Sequence, residues 1–442
     1  MQLSARLITA LVALVTLALL YTINSMSARD PTSVFFNPRK GYAPRYSAIR
    51  RQQAEAFISA HHDTPATVVP KASSDSATQR LCVGIPSFKR DGVQYLPDAV
   101  GSLLEGLTPA ERKEIYLVVF IAHSNPSVHQ AYNEAWLPGL VDHVLTYEFG
   151  IDRMQYIRDM EREGGRFIEK GLFDYSYLLT KCAEQFTPYI AIFEDDTVAM
   201  DGWYHRTIAA IHDAEQQAAL HRAKPDFLYL RLFYTEEFLG WNSENWKKYL
   251  WNSICIAAVP TALLLFVRIR QPRTKLSMRI TSLHAFLVLY AGLAVAILLY
   301  FSLGRIAVNP LPHGVHEMQE FGCCSQAFVF PNTKARELVS YFKDRHTGYM
   351  DVLTEDFANE RNELRFAITP SLVQHVGRKS SKGDDYGPMS KFGMSVAEKI
   401  WSFGFEKLDW KALRREHENI AKIESARSSS SAAPLNAKEM AP

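Results

Sequence analysis

The chain predicts an α/β fold, a sheet of buried strands alternating with helices, interrupted by a membrane hairpin and preceded by another apolar span. Short, nearly uninterrupted apolar runs at residues 81–86, 115–121, 189–193, 227–233 and 327–330 have the branched and aromatic character of strands buried on both faces. Helical stretches separate several of them, at residues 96–107, 173–186, 333–342 and 351–364. Residues 7–23, 249–267 and 280–303 are apolar over close to the length that a bilayer crossing needs, about twenty residues.

Residues 7–23 follow a very short terminus carrying Arg6 and read as an uncleaved anchor. A cleaved signal peptide is the alternative, because residues 24–28 are small and polar. Residues 26–80 read as a stem, with a possible helix at 45–61 and a linker at 64–78. A catalytic domain would then occupy 81–248 and 304–385, split by the hairpin at 249–303 and followed by a helical and disordered tail at 386–442. Between the two hairpin spans lie Arg268, Arg270, Arg273, Lys275 and Arg279 with no acidic residue, which places that turn in the cytoplasm. Trp246, Tyr249, Trp251 and Tyr300 mark the opposite ends as an aromatic interface. The amino terminus is then cytoplasmic, and both polar halves share the far compartment.

A formal net charge of +2 over 442 residues gives no sign of bulk nucleic-acid binding. Of five cysteines, Cys255 falls inside a span. Cys82, Cys182, Cys323 and Cys324 could form one or two bridges in an oxidising lumen, though Cys323 and Cys324 are not expected to pair with each other, since a vicinal bridge strains the peptide. Neither the pairing nor an oligomeric state can be read from the sequence.

The chemistry concentrates where the run Tyr189-Ile190-Ala191-Ile192-Phe193 ends in Glu194-Asp195-Asp196. Three adjacent carboxylates repel one another unless a cation lies between them, and a hard ion, Mn²⁺ or Mg²⁺, takes such ligands while leaving positions for phosphate oxygens. A solvated acidic turn is the plain alternative. Just past the first strand, Pro86 and Ser87-Phe88-Lys89-Arg90 could hold a diphosphate, with Phe88 against a base. Arg153, Arg158 and Arg166 are weaker candidates for the same task. His375, followed by Gly377, Arg378 and Lys379, could supply a metal ligand remote in sequence, with Arg378 on the leaving diphosphate. Asp351 opens a helix, either as a cap or as a general base, and Glu355 and Asp356 compete for the second role. Glu236 and Glu237 could instead bind acceptor hydroxyls.

Taken in order, several of these segments resemble the N-acetylglucosaminyltransferase IV-like family. They are Val83 through Arg90 with Tyr95-Leu96, then Glu194-Asp195-Asp196, Asp351, Leu364-Arg365-Phe366, and Pro370-Ser371-Leu372 running into Gln374-His375-Val376-Gly377 with Ser380-Ser381. The split by two spans, with Phe321-Gly322-Cys323-Cys324-Ser325 and the run 327–330, resembles that family's membrane-split relatives, the post-GPI-attachment GalNAc-transferases. This resemblance implies a GT-A-type glycosyltransferase with a Rossmann-like mixed sheet, multi-pass in the Golgi membrane and catalytic in the lumen. It implies UDP-GalNAc as donor, Mn²⁺ or Mg²⁺ as cofactor, and inverting transfer to the first mannose of the GPI glycan on GPI-anchored glycoproteins. Carried over, Asp195 and Asp196 fall on the metal and donor site and His375 on the distal metal ligand. The base stays open among Asp351, Glu355, Asp356 and Glu236. Two alternatives are an N-glycan N-acetylglucosaminyltransferase of the IV-like family and a non-catalytic GPI- or glycan-binding membrane protein.

Overall fold

The computed structural model describes residues 10, 14, 17–18, 21–22, 24–61, 71–162, 166–222, 226–236, 240–318, 322, 324–379 and 393–431. Most of the expected first span, together with Glu237, Phe321, Cys323, Ser380 and Ser381, lies outside the described residues. The chain divides into two units, Met1–Ala43 with Thr235–Pro312, and Pro44–Tyr234 with His313–Pro442.

Ten strands belong to the second unit: β1 (Leu81–Ser87), β2 (Ile115–Ile121), β3 (His143–Leu145), β4 (Tyr189–Phe193), β5 (Thr197–Ala199), β6 (Tyr229–Arg231), β7 (Gly314–Glu317), β8 (Ala327–Pro331), β9 (Arg365–Thr369) and β10 (Val373–His375). Eight of them form one mixed sheet in the order β3-β2-β1-β4-β8-β6-β9-β7, while β5 and β10 pair separately. Side chains alternate along each strand. Leu81, Val83, Ile85, Leu117, Val119, Ala191 and Phe193 therefore enter one apolar layer, and Cys82, Val118, Phe120, Ile190 and Ile192 enter the other. Burial on both faces is why the strands read as continuous apolar runs rather than alternating ones.

The order of the first four strands positions the site. From β1 the chain moves outward through parallel β2 and β3, then returns to pair β4 on the other side of β1. Connections leaving the carboxyl ends of β1 and β4 diverge there and open a crevice. Helix Phe167–Ala183 covers the second layer at this point, and it approaches closely: a Cβ at Gly84 would lie 2.8 Å from Ile192 Cδ1 and 3.1 Å from Leu178. A disulfide between Cys82 and Cys182 ties β1 to the same helix across 100 residues of chain. Cys324 is disulfide-bonded as well, and its partner lies outside the described residues. Because the 82–182 bridge closes a long loop, Cys182→Ser is expected to cost about 2–5 kcal/mol of stability, read as a lower midpoint in denaturant.

Two segments expected outside the domain fold within it. Helix Tyr46–Ala60, read from sequence as part of a stem, places Tyr46, Ala54 and Ile58 in the interior at four- and eight-residue spacings. Arg50 on the same face is fully buried; it donates to the carbonyls of Ala199 and Ser102 at 2.8 Å and pairs with Glu105. Toward the carboxyl end, helix Trp410–Ser431 buries Leu413 and His417 rather than trailing away from the domain. Strands β5 and β7 and helix Trp203–Arg222 were not anticipated; the two strands are three and four residues long, too short for periodicity to reveal.

The first unit contains helices Trp246–Arg270 and Leu283–Ser302, of 25 and 20 residues, both long and apolar enough to cross a bilayer. In chain order they fall between β6 and β7. Thr261 Oγ1 and the Tyr290 hydroxyl lie 2.9 Å apart across the pair. Around Trp241 gather the rings of Tyr249, Tyr300 and Phe301, at 5.2, 5.3 and 4.7 Å between centroids.

Candidate active site

Strand β4 stops at Phe193, and the acidic triplet turns the chain into β5, which pairs antiparallel with β10 so that Thr197 faces His375. The Asp196 carbonyl accepts from Val376 N–H at 2.8 Å, extending the pairing. Asp196 Oδ2 thereby comes 3.4 Å from His375 Nε2. Gly377 makes this approach possible, since a Cβ there would fall 2.3 Å from Asp196 Oδ2. Gly377→Ala is accordingly expected to displace the Asp196 carboxylate and weaken Mn²⁺ binding at least tenfold, measured by calorimetry.

One ligand atom each from Glu194, Asp196 and His375 lies within 4.8 Å of the others. His375 Nδ1 is 3.1 Å from the Ile400 carbonyl, which accepts its N–H and leaves the Nε2 lone pair turned to the carboxylates. Burial alone would push His375 down, but Asp196 outweighs it and holds the imidazole above its ordinary value. Asp196 is held well down, at about 2, because His375 and Arg90 overcome the opposing effect of burial. Its Oδ1 is buried with no hydrogen-bond partner. An ionised oxygen without a donor is costly unless a cation serves it, and the group of two carboxylates and one imidazole to which Asp196 belongs fits a divalent ion of the Mn²⁺ type.

Asp195, expected among the metal ligands, has a different task. Its Oδ2 accepts from Ser87 Oγ at 2.6 Å and from Phe88 N–H at 3.3 Å. Arg90 donates to both its oxygens, at 2.8 and 2.9 Å, and to Asp196 Oδ2 at 3.1 Å. Both Asp195 oxygens thus meet a cationic partner, whereas Glu194, whose oxygens accept from the neutral Ser325 and Gln326 side chains, is the carboxylate grouped with Asp196 and His375. Arg90, expected on a diphosphate, is instead buried as a clamp on two carboxylates, which raise its pKa against the opposing pull of burial.

Beside this clamp is a cavity of about 410 Å³, lined by Ser87 to Leu96, Val128, His129, Gln130 and Asp195. Pro86 is in the β1–β2 register rather than in the cavity wall. Lys89 lines the wall with an exposed ammonium, 3.4 Å from Asp91. The Tyr95 hydroxyl accepts from the amides of Arg378 and Lys379 at 3.0 and 3.3 Å, which fixes the loop after His375 to the cavity while the Arg378 side chain stays exposed. His129, absent from the sequence reading, lies 3.0 Å from Ser87 Oγ through Nε2. No spacing pattern connects it to the acidic strand.

The four candidates for the base separate clearly. Glu355 is buried; its two oxygens meet Arg231 at 2.7 Å and Arg365 at 2.5 Å, and Tyr229 also donates to it. Both oxygens are therefore taken up by two guanidinium groups and a phenol, the arrangement of a buried counter-ion. Asp356, the next residue of helix Met350–Arg361, is exposed. Glu236 is buried and belongs to the first unit. Asp351 is half-buried at the amino end of that helix and accepts from Cys324 N–H at 3.4 Å and from Val352 N–H at 3.0 Å. The next residues lead back to the metal ligands: Ser325 Oγ and Gln326 Nε2 both donate to Glu194. Arg153 spends its guanidinium on the rings of Phe149, Tyr156 and Phe173.

Comparison with known proteins adds to this geometry. The chain is 22% identical over 202 residues to alpha-1,3-mannosyl-glycoprotein 4-beta-N-acetylglucosaminyltransferase A of Bos taurus, covering 40% of this chain and 37% of that protein. With the B enzymes of Danio rerio and Mus musculus the identities are 22% and 24%, again over 40% of this chain and 36% of each relative. The match thus spans well under half the length of these curated relatives. A family model described as GPI-N-acetylgalactosamine transferase PGAP4 matches residues 81–374, the stretch that runs from β1 into β10, contains the acidic triplet and ends one residue before His375. The chain belongs to the GPI-N-acetylgalactosamine transferase PGAP4 family.

Proposed function

We propose that this protein transfers GalNAc from UDP-GalNAc to the first mannose of a GPI glycan, with inversion, in the Golgi lumen. The observation that carries the reading is the convergence of Glu194, Asp196 and His375 at the carboxyl ends of the strands, beside the cavity at Ser87–Leu96. These three side chains would hold Mn²⁺, or Mg²⁺, in a GT-A-type site. When bound, the cation supplies charge stabilisation to the departing diphosphate. Arg90 and Ser87 keep Asp195 fixed, and Arg90 holds Asp196 by Oδ2, so that Asp196 Oδ1 is the oxygen left to serve the ion. Lys89 and Arg378, exposed around the cavity, would meet the diphosphate oxygens. Asp351 would take the proton from the acceptor hydroxyl, since among the described residues its oxygens meet the backbone amides of Cys324 and Val352 rather than a cationic side chain.

The chain connectivity supports a membrane-bound acceptor. Both apolar helices are spliced between β6 and β7, so the catalytic chain is tethered twice to the bilayer. A GPI glycan is fixed to the same surface by its lipid, and tethering both partners raises their effective concentration without new contacts. In this topology the basic turn after Trp246–Arg270 is cytoplasmic, and a tag placed after Pro442 would be protected from protease in intact microsomes.

Glycan profiling of GPI-anchored proteins from cells with and without this protein tests the assignment. Loss of one HexNAc from the glycan is expected, and an unchanged profile would overturn it. The named relatives favour a second reading, transfer of GlcNAc to an N-glycan. Competition between UDP-GalNAc and UDP-GlcNAc for the purified protein separates the two.

A further inference from the structure

A second group of metal-binding side chains lies in the catalytic unit and shares no residue with the first. Glu111, His205 and His417 come from helices Pro109–Lys113, Trp203–Arg222 and Trp410–Ser431, yet one ligand atom from each lies within 4.8 Å of the others. His417 is buried; its Nε2 stands 2.9 and 3.1 Å from the two oxygens of Glu111, and its Nδ1 lies 2.8 Å from Asp201 Oδ1. A carboxylate on Nδ1 is the usual outer support of a metal-bound imidazole.

His205 makes the case. Both its ring nitrogens are buried and neither forms a hydrogen bond. They face carboxylates nonetheless: Nδ1 lies 3.9 Å from Glu111 Oε1 and Nε2 lies 3.5 Å from Glu416 Oε1. Both gaps are long for hydrogen bonds; ligands on one tetrahedral ion stand about 3.3–3.5 Å apart for bonds near 2.1 Å, so the 3.9 Å between Nδ1 and Glu111 would need to close only slightly around a shared ion. Gly202, at φ +72°, holds the ring in place, because a Cβ there would come 2.4 Å from His205 Cε1. The surrounding charges are already paired. Arg206 takes Glu416 Oε2 at 2.6 Å, and Arg414 bridges Asp201 and Glu105.

We propose that Glu111, His205 and His417 form a structural site for a zinc-class cation, with Glu416 on the other ring nitrogen of His205 as the outer support of that imidazole. Two imidazoles and a carboxylate suit Zn²⁺, in contrast to the carboxylate-rich group at the end of β4. Such an ion would join three stretches of chain distant in sequence and pin helix Trp410–Ser431 to the domain. That helix follows the 400–406 segment, whose Ile400 carbonyl orients His375 and whose Ser402 and Glu406 hold the Gln374 side chain. The site is thus a device for fixing the carboxyl-terminal chain behind β10.

The test counts metal in tag-free, full-length protein in detergent, in the Asp196→Ala background so that the other site does not contribute. After treatment with a weak chelator, about one zinc per chain is expected by mass spectrometry, and replacement with Co²⁺ should give the visible ligand-field absorption of a tetrahedral site. Adding His205→Gln should abolish both signals, while stripping zinc from the parent should lower its melting temperature. Absence of zinc and of the cobalt spectrum in the parent would overturn the proposal, leaving a proton-bridged ion cluster. Undiminished zinc in the His205→Gln protein would overturn it equally. Because metal content is read without any transfer assay, failure here is distinguishable from failure of the catalytic assignment.

Discussion

Asp196→Ala is expected to reduce transfer by more than about 10³-fold, on the order of 4 kcal/mol in the barrier, with expression and localisation unchanged. Asp196 is the carboxylate that faces His375 at 3.4 Å and has a buried oxygen with no donor, so its loss removes a central ligand. The fold should survive, since Arg90 keeps its bidentate pairing with Asp195 and His375 keeps its bond to Ile400. Calorimetry should show Mn²⁺-dependent UDP binding in the parent and none in the variant. Asp195→Ala is expected to differ. It frees the buried Arg90 guanidinium from its main partner, and the cost should appear in thermal stability as well as in activity. Full activity in a protein with both residues changed to alanine would exclude this site.

The contrast between these two neighbours marks the limit of sequence. The acidic triplet is legible because a five-residue apolar strand ends there, and the strand forms as expected. Which carboxylate turns toward the cleft depends on the backbone after Phe193 and on pairing between β5 and β10, two three-residue strands that carry no periodic pattern. Arg90 presents a similar difficulty: a cationic loop is visible, but a guanidinium can clamp carboxylates as readily as phosphates. His375 could be connected to the triplet only through a resemblance covering both, as 179 residues separate it from Asp196 (375 less 196).

Helix Tyr46–Ala60 shows the same limit in the fold. Residues 46, 50, 54 and 58 form one face, and an arginine among them makes the segment read as a polar stem. Only the carbonyls of Ser102 and Ala199 and the carboxylate of Glu105, supplied by other elements, make that arginine a core residue. The two long apolar helices, by contrast, were legible to within three residues at each end, since length and composition alone define them.

Asp351→Asn and Glu355→Gln, four residues apart on one helix, should give opposite phenotypes. In the first, transfer should fall by about 10²–10⁴-fold, the usual contribution of a general base, with Mn²⁺-dependent UDP binding and melting temperature retained. Asparagine keeps an oxygen for the Cys324 amide, so the local structure has no reason to change. Glu355→Gln instead leaves Arg231, fully buried, and Arg365 without the carboxylate that serves both. Removing one partner of a buried pair costs about 3–5 kcal/mol, so this protein should melt lower, and any loss of activity should follow its folded fraction. A comparison at a temperature where both variants are folded isolates the chemistry. If Asp351→Asn then transfers at the parent rate, Asp351 is only a helix cap. If Glu355→Gln is as stable as the parent but inactive, the two roles are reversed.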